Sequence, residues 1–150
     1  MPEESASSES PTRGLLDTSV MIDLERPGAG EGLPDELCVS AVTMAELAAG
    51  PHATSNPNKR ALRVERLQGA GSTFDQLPFD LAASRAYGRV YAAVTAAGRN
   101  ARGRRTLDML IAATALTNGL PLYTRNPDDF IGLENLLEII AIPSPVDPGQ

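Results

Sequence analysis

The stretch RGLLDTSVMI, residues 13–22, decides the fold of this chain. Two leucines run directly into Asp17, and a second apolar run begins only two residues later. A short apolar run of this kind is typical of a buried strand, and Thr18 and Ser19 favour the start of a helix. The stretch therefore predicts a strand followed at once by a helix, with a carboxylate at the junction. That carboxylate alone is compatible with a simple helix cap, so other motifs must decide its role.

The same alternation continues along the chain. Extended patterns predict further strands in LCVSAVT (37–43), ending near Ser40 or Ala41, in LPLYT (120–124) and in LLEIIAI (136–142). FDQLPFD (74–80) is predicted to be a short extended piece. Helical patterns lie in SVMIDLER (19–26), TMAELAAG (43–50), NPNKRALRVERLQG (56–69), LAASRAYGRVYAAVTAAG (81–98) and TLDMLIAATALTNG (106–119). Alternating strands and helices indicate an α/β fold, with a parallel sheet covered on both faces. We predict one domain over residues 13–143, with disordered tails at 1–12 and 144–150.

The composition limits the functions open to the chain. Its 150 residues carry a formal net charge of −6, so no chain-wide positive field attracts nucleic acid. The single cysteine, Cys38, excludes an internal disulfide and fits a reducing compartment. The N-terminal residues lack the pattern of a signal peptide, and no apolar run reaches the roughly 18 residues of a membrane span. We therefore expect a cytoplasmic protein that does not bind membranes.

Two further acidic motifs follow predicted strands, where ligands bind in open parallel sheets, and a third lies at the start of a buried helix. Glu46 lies early in the helix after the second strand. Asp108 lies near the start of a helix that is otherwise almost wholly apolar. Asp128 and Asp129 belong to the turn NPDDF after LPLYT. Each motif alone has an ordinary structural explanation, namely the helix dipole, a helix cap or a turn.

Together with Asp17, these carboxylates predict a cation site. Carboxylates that converge on one edge of the sheet repel each other, which raises their pKa values, and a divalent cation removes that conflict. Oxygen ligands without His or Cys select Mg²⁺ or Mn²⁺. Such a site activates a water and stabilises charge on a phosphoryl group, and the sequence allows one metal ion or two.

Four segments resemble a known family in their order and spacing: LLDTSVMID, VTMAELAAG, LDMLIAATA and LYTRNPDDF. They resemble the signature segments of PIN-domain ribonucleases and, within that family, those of the VapC toxins of bacterial toxin–antitoxin pairs. The resemblance covers residues 14–142. It implies a Rossmann-like three-layer α/β/α fold, Mg²⁺- or Mn²⁺-dependent endoribonuclease activity, a VapB-type antitoxin and a homodimer. The RNA substrate stays open among tRNA, ribosomal RNA and mRNA.

The resemblance also implies roles for single residues. Asp17 and Asp108 are expected to bind the metal, and Glu46 is expected to orient or deprotonate the attacking water. Thr18 matches the residue after the family's first aspartate and is a candidate to hold a metal-bound water. Many relatives have a polar residue before the third acid, where this chain has Leu107, so one supporting hydrogen bond is expected to be missing.

The fourth acidic ligand is less clearly defined by the resemblance. Asp129 matches the aspartate before Phe in many VapC sequences, and we assign it as a catalytic residue and metal ligand. Asp128 stays open as the alternative, and Asn126 stands where other PIN proteins have an acid, which suggests a supporting role. Five arginines near the predicted site are candidates for contacts with RNA phosphates, although the loop that holds four of them is also compatible with simple solvation. They are Arg99, Arg102, Arg104, Arg105 and Arg125.

Partner surfaces are also implied. In this family, helices near the second strand form a groove for the C-terminal segment of the antitoxin, and an antitoxin arginine that reaches the acidic site would be electrostatically favoured. The helices at 59–68 and 80–98 carry apolar residues that one small core does not fully use. These two helices are therefore the expected contact surfaces.

Other chemistries fit the sequence less well. A phosphatase or a receiver-type phosphoryl acceptor usually needs a lysine near the phosphate, and the only lysine, Lys59, lies in a charged helix far from any strand end. No Walker-type glycine loop is present. A metal-free ribonuclease often uses two histidines, whereas His52 is the only one and lies in a loop. The remaining alternative is a catalytically inactive PIN-fold module that binds RNA or protein.

Overall fold

A computed structural model describes residues 12–24 and 26–143. Its centre is a five-stranded sheet in the order β3-β2-β1-β4-β5, in which every neighbouring pair is parallel. The strands are β1 (Arg13–Leu16), β2 (Glu36–Ser40), β3 (Asp75–Leu77), β4 (Leu122–Thr124) and β5 (Ile139–Ala141). The helices are α1 (Thr18–Ile22), α2 (Ala41–Ala49), α3 (Pro57–Thr73), α4 (Leu81–Ala96) and α5 (Arg105–Thr117), with short 3-10 helices at Gly50–Ala53 and Pro127–Phe130. The predicted α/β fold with a parallel sheet is confirmed.

The core lies on both faces of this sheet, which is why β1 is buried and apolar from Gly14 to Leu16. Leu15 points into a cluster formed with α4 and α5, and Leu16 points into a second cluster formed with α1, α2 and α3. Successive strand residues face opposite sides of a sheet, so a strand covered on both faces needs apolar residues in succession. The two clusters make the sheet the middle of three layers.

Gly14 begins this buried part of β1 for a steric reason. A Cβ atom at this position would lie 2.2 Å from a ring carbon of Tyr123 on the neighbouring strand β4. The ring therefore occupies the space that any other side chain would need. This close approach ties β1 to β4, the two strands whose ends carry the site described below.

Two helices end at different residues from those that the sequence predicts. The first helix ends at Ile22 and not near Arg26, because the N–H of Asp23 closes the last turn on Met21 and Val20. Conversely, α3 continues past Gly69 to Thr73. Ala70 is only 3% exposed and packs in the second cluster, so burial outweighs the low helix propensity of glycine.

The strand order places the ends of β1 and β4 side by side. The chain runs outward from β1 to β2 and β3, and then crosses to β4 on the other side of β1. A reversal of this kind is a topological switch point, and ligands of open α/β sheets bind in the crevice there. The backbone N–H of Asp17 donates to Tyr123 O at 2.9 Å and closes the junction.

The described elements run from Arg13 to Ala141, and the domain bounds of 13–143 stay a prediction. The predicted tails, 1–12 and 144–150, lie outside the described residues except for Thr12. None of the helices in the described part of the chain combines the length and the apolar character that crossing a membrane requires.

Candidate active site

Asp17 is held rigidly at the end of β1. The residue is only 4% exposed. Its Oδ1 accepts a hydrogen bond from the N–H of Ser19 at 2.7 Å, and its Oδ2 accepts one from the Thr124 hydroxyl at 2.5 Å. Asp17 therefore does cap α1, and it is also linked to the end of β4. Each carboxylate oxygen has a further lone pair, so capping and cation binding are compatible.

Glu46 lies on α2, and the hydroxyl of Thr18 orients its side chain. Thr18 Oγ1 donates to Glu46 Oε1 at 2.6 Å. The sequence suggested that Thr18 holds a metal-bound water, whereas the structure commits its only hydroxyl proton to Glu46. The two residues lie on neighbouring elements, α1 and α2, which start at the ends of adjacent strands.

Asp108 is half-buried in the first turn of α5, within reach of the charges of the other acids. Burial raises the pKa of Asp108 most, and the negative charges of Asp17, Asp129 and Glu46 raise it further, to about 7, while Arg105 lowers it. The acids predicted from separate motifs thus form one electrostatic group. The positive charge of Arg105 only partly offsets the negative charge of this group of acids.

The 3-10 helix Pro127–Phe130 carries the fourth acid. Asp129 and Asp108 line the same cavity, and the charge of Asp129 reaches Asp108. Asp128 is exposed and does not line this cavity. Phe130, which is 1% exposed, anchors the turn in the core. The geometry therefore favours Asp129 over Asp128.

Asn126 supports this turn with its backbone. Its N–H donates to the Thr124 hydroxyl at 2.9 Å, and its carbonyl accepts from the N–H of Asp129 at 3.0 Å. Thr124 is fully buried and also donates to Asp17, so it joins the first and fourth acids of the site. The sequence analysis did not single out Thr124, because a threonine at the end of an apolar strand has no distinctive pattern.

Two further hydroxyl residues were missed in the same way. Ser40 caps α2 and Thr43 lies one turn later; both are fully buried and both contact the network around Glu46. A signal for them does exist in the sequence. Ser40, Thr43 and Glu46 are spaced three residues apart, which places them on one face of a helix.

The donor set fits a hard divalent cation in its chemistry. Carboxylate oxygens are the ligands that Mg²⁺ and Mn²⁺ prefer, and the raised pKa of Asp108 reflects negative charge that such a cation would neutralise. In the described part of the chain, however, no three His, Cys, Asp or Glu side chains are gathered into a ligand cluster. The case for a cation therefore rests on the chemistry of these carboxylates and not on their spacing in this structure.

The basic loop lies against the acids, as the sequence suggested. A cavity of about 770 Å³ is lined by Asp108 and Asp129 on one side and by the loop on the other. The loop residues that line it are Asn100, Arg102, Gly103, Arg104 and Arg105. Arg99 does not line this cavity. It lies near Glu134, whose pKa is lowered mainly by the backbone N–H of Gly132 and only slightly by the charge of Arg99. Three of the four predicted loop arginines are thus at the site.

Arg125 requires a correction. Its side chain is only 5% exposed, and its Nε lies 3.1 Å from Oδ2 of Asp23. A second guanidinium nitrogen donates to the carbonyl of Pro143. The guanidinium is therefore engaged within the protein and leaves little surface for an RNA phosphate. Arg125 ties the end of β4 to the residue after α1.

Fold and site together define a class of parallel α/β domains with an acidic centre at the switch point of the sheet. The profile of the PIN domain family matches residues 14–133. Ribonuclease VapC5 of Mycobacterium tuberculosis is 34% identical over an alignment that covers 90% of this chain and 99% of the relative. Ribonuclease VapC1 of Rickettsia felis is 31% identical, with 87% and 96% covered.

Solved structures agree with these relatives. The structure of VapBC-5 from Mycobacterium tuberculosis, a member of the VapBC family of toxin–antitoxin systems, matches with a TM-score of 0.73 and 34% identity over 88% of this chain and 100% of that chain. VapBC-1 from nontypeable Haemophilus influenzae matches at 24% identity with a TM-score of 0.67, over 86% and 98%, which supports the fold. The chain belongs to the PIN domain family and, within it, to the VapC toxins.

Proposed function

We propose that this chain is an endoribonuclease that depends on Mg²⁺ or Mn²⁺ and acts as the toxin of a type II toxin–antitoxin pair in the cytoplasm. One observation carries the proposal: four carboxylates from separate motifs interact at the switch point of a PIN fold. Asp108 is one of them, and the charges of the other three raise its pKa. Relatives named as ribonucleases support the same reaction class.

The residues that would hold the metal are Asp17, Asp108 and Asp129. A bound divalent cation supplies positive charge and a polarised water for attack on a phosphodiester. Glu46 is held by Thr18 at 2.6 Å, so its carboxylate is oriented to accept a proton from the attacking water. Hydrolysis by water leaves a 5′-phosphate and a 3′-hydroxyl, whereas attack by the RNA 2′-hydroxyl would not.

The basic loop would hold the RNA backbone. Arg102 and Arg104 are exposed, and both line the cavity that Asp108 and Asp129 also line. Guanidinium groups bind phosphate by charge-assisted hydrogen bonds, and they do so here beside the acids that would act on the scissile bond. This local positive edge explains how a protein with a net charge of −6 binds RNA.

A groove between α1, α2 and α3 would hold the VapB-type antitoxin. One cavity of about 320 Å³ lies between α1 and α3, where Met21, Leu24 and Ala70 form an apolar part of the lining and Glu65 a charged part. A second cavity of about 260 Å³ is lined by Ile22, Leu47 and Glu46. Arg66 lines both, so together they form one groove that leads to the acids. A cationic antitoxin side chain at its end would pair with the acidic centre.

A homodimer is proposed as well, as the resemblance implies. Leu81 is 68% exposed and Tyr91 is 36% exposed, and both lie on α4. Apolar side chains that stay in water on one helix favour a protein contact.

Induced expression in bacteria that lack the antitoxin tests the proposal. The wild-type protein should arrest growth and produce discrete new RNA 5′ ends, and Asp17→Asn should do neither. Glu138→Gln, which changes an exposed acid away from the site, serves as the control and should behave as wild type. Arrest by both wild type and Asp17→Asn, without RNA cuts, would favour the inactive binding module over the nuclease.

A further inference from the structure

Three hydroxyl groups form a hydrogen-bonded chain that ends on Glu46. Ser40 Oγ lies 3.3 Å from Thr43 Oγ1, and Thr43 Oγ1 lies 2.9 Å from Thr18 Oγ1. Thr18 Oγ1 in turn lies 2.6 Å from Glu46 Oε1. The chain runs from the end of β2 through α2 to α1, and back to α2 at Glu46.

The direction of every hydrogen bond in this chain follows from Glu46. An ionised carboxylate only accepts hydrogen bonds, so the Thr18 hydroxyl donates to it. A hydroxyl has one proton, so Thr18 must accept from Thr43, and Thr43 must accept from Ser40. Ser40 Oγ also accepts from the N–H of Thr43 at 3.0 Å. All three hydroxyl dipoles therefore point toward the carboxylate, and such chains polarise one another.

Helix capping does not account for the Thr43 hydroxyl. The cap of α2 is the bond from the Thr43 N–H to Ser40 Oγ, and it needs no side chain at residue 43. Thr43 is nevertheless fully buried, where valine would fill the same space without a polar atom. A buried hydroxyl is unfavourable unless it is hydrogen-bonded, and the contacts of this one lead to Thr18 and Ser40.

We propose that Thr43, supported by Ser40, is a positioning residue for Glu46 and acts through Thr18. Without the proton from Thr43, the Thr18 hydroxyl loses its donor and is free to rotate away from Glu46. The carboxylate then loses the contact that fixes its orientation. This inference rests on the proposed nuclease function for its effect on catalysis, but its structural part is independent of that function.

Two substitutions at residue 43 separate positioning from packing. Thr43→Val keeps the shape and removes the hydroxyl, whereas Thr43→Ser keeps the hydroxyl and removes a methyl group. Thr114→Val is the matched control, because Thr114 is also a fully buried helical threonine, but its hydroxyl bonds to the carbonyl of Leu110. If Thr43 only packs, the serine variant should be the more damaged of the two.

The first readout is the kinetics of RNA cleavage at saturating Mn²⁺. Thr43→Val should lower kcat by about tenfold, the scale seen when residues that orient a metal site are removed, and leave KM nearly unchanged. Thr43→Ser and Thr114→Val should keep a kcat close to that of the wild type. A wild-type kcat in Thr43→Val, or equal losses in the valine and serine variants, would overturn the proposal.

The second readout needs no RNA cleavage. The ¹³C NMR signal of the Glu46 side-chain carboxyl, assigned by its loss in Glu46→Gln, reports the hydrogen bond from Thr18. It should move in Thr43→Val but not in Thr43→Ser or Thr114→Val. An unmoved signal in Thr43→Val would overturn the inference. If the wild type cleaves no RNA, the proposed function fails, and this signal alone decides whether Thr43 positions Glu46.

Discussion

At the scale of the residue, the acidic centre opposes the stability of the fold. Asp108 is half-buried beside the charges of Asp17, Asp129 and Glu46, and its pKa is raised to about 7. A half-buried carboxylate beside other negative charges is unfavourable for folding, and carboxylates of this kind are typical of functional sites. Stability and activity should therefore respond in opposite directions when this charge is removed.

Asp108→Asn should raise the melting temperature of the metal-free protein at pH 8 and abolish RNA cleavage. The amide keeps the shape of the side chain and removes the charge that the neighbouring acids repel. Calorimetry and a cleavage assay measure the two effects. Glu138→Gln, which neutralises an exposed acid elsewhere, should change neither. A lower melting temperature for Asp108→Asn would contradict the electrostatic account.

The stability of the metal-free protein should also depend on pH. The folded-state pKa of Asp108 is about 7 and lies above its ordinary value of 3.8, so the native state binds the proton more tightly than the unfolded state. This group therefore makes the protein less stable as the pH rises from about 4 to about 7. Urea unfolding at several pH values should show this decline, and Asp108→Asn should reduce it. An equal decline in both proteins would assign it to other groups.

The two aspartates of the Pro127–Phe130 turn should differ. Asp129→Asn should lower kcat by at least about a hundredfold, since even residues that only orient metal ligands account for 10- to 100-fold. Asp128→Asn should retain most of the activity, because Asp128 does not line the cavity that Asp108 and Asp129 share. Steady-state cleavage of one RNA by both variants compares them directly. The reverse order would move the fourth acid to Asp128.

At the scale of the element, the loop before α5 joins the acids to a positive edge. Arg102, Arg104 and Arg105 line one cavity together with the first turn of α5 and the turn after β4. The loop supplies arginines, the turn supplies Asp129, and α5 supplies both Arg105 and Asp108. Only the packing of these elements puts the positive and negative side chains side by side. RNA affinity should therefore depend on this loop more than on the arginines of the helices.

Arg104→Ala should weaken RNA binding and its dependence on salt. For single-stranded RNA, each lost phosphate contact reduces the slope of log K against log [salt] by about 0.7. Titrations at several salt concentrations, with catalytically inactive Asp108→Asn as the background, measure that slope. Arg85→Ala, which removes an exposed arginine from α4, is the control and should leave it unchanged. Equal slopes in both variants would exclude the loop from the RNA contact.

At the scale of the whole molecule, strand order explains how distant motifs form one centre. Asp17 and Asp129 are far apart in sequence, yet β1 and β4 are neighbours and Thr124 bonds Asp17. The groove along α1 and α3 leads to the same centre, because Ile22 and Glu46 line one cavity. On the proposed function, a partner in that groove and an RNA at the acids would be coupled by position.

That coupling predicts two effects on the antitoxin. Asp17→Ala should abolish cleavage and also weaken binding of the cognate VapB-type antitoxin, because a cationic antitoxin side chain loses its partner. Ile22→Glu should weaken binding by placing a charge in the apolar groove, whereas Leu62→Glu, at an exposed position of α3 outside the lining, should not. Calorimetric titration gives the affinities. Unchanged affinity for Asp17→Ala would refute contact between the antitoxin and the acids.

Much of this architecture could be predicted from the sequence, because local patterns carry it. Apolar runs ending in acids mark strand ends, and parallel strands bring those ends to one edge of the sheet. The rest depends on contacts between distant residues. In the sequence, Arg125 is a candidate for a contact with an RNA phosphate. Its contact with Asp23 is visible only in the structure. Thr124 has no distinctive local pattern, because its role depends on Asp17 on another element. The spacing of Thr43 from Glu46 indicates a shared helix face, but not the contact of Thr43 with Thr18.

The central claim is that the acidic centre cleaves RNA with the help of a divalent metal. The most direct test is the cleavage of a defined RNA by purified protein, with Mn²⁺ or with EDTA, followed by analysis of the product ends. The account predicts products with a 5′-phosphate and a 3′-hydroxyl in Mn²⁺ only, and none with Asp108→Asn. Equal cleavage in EDTA, or equal cleavage by Asp108→Asn, would contradict it.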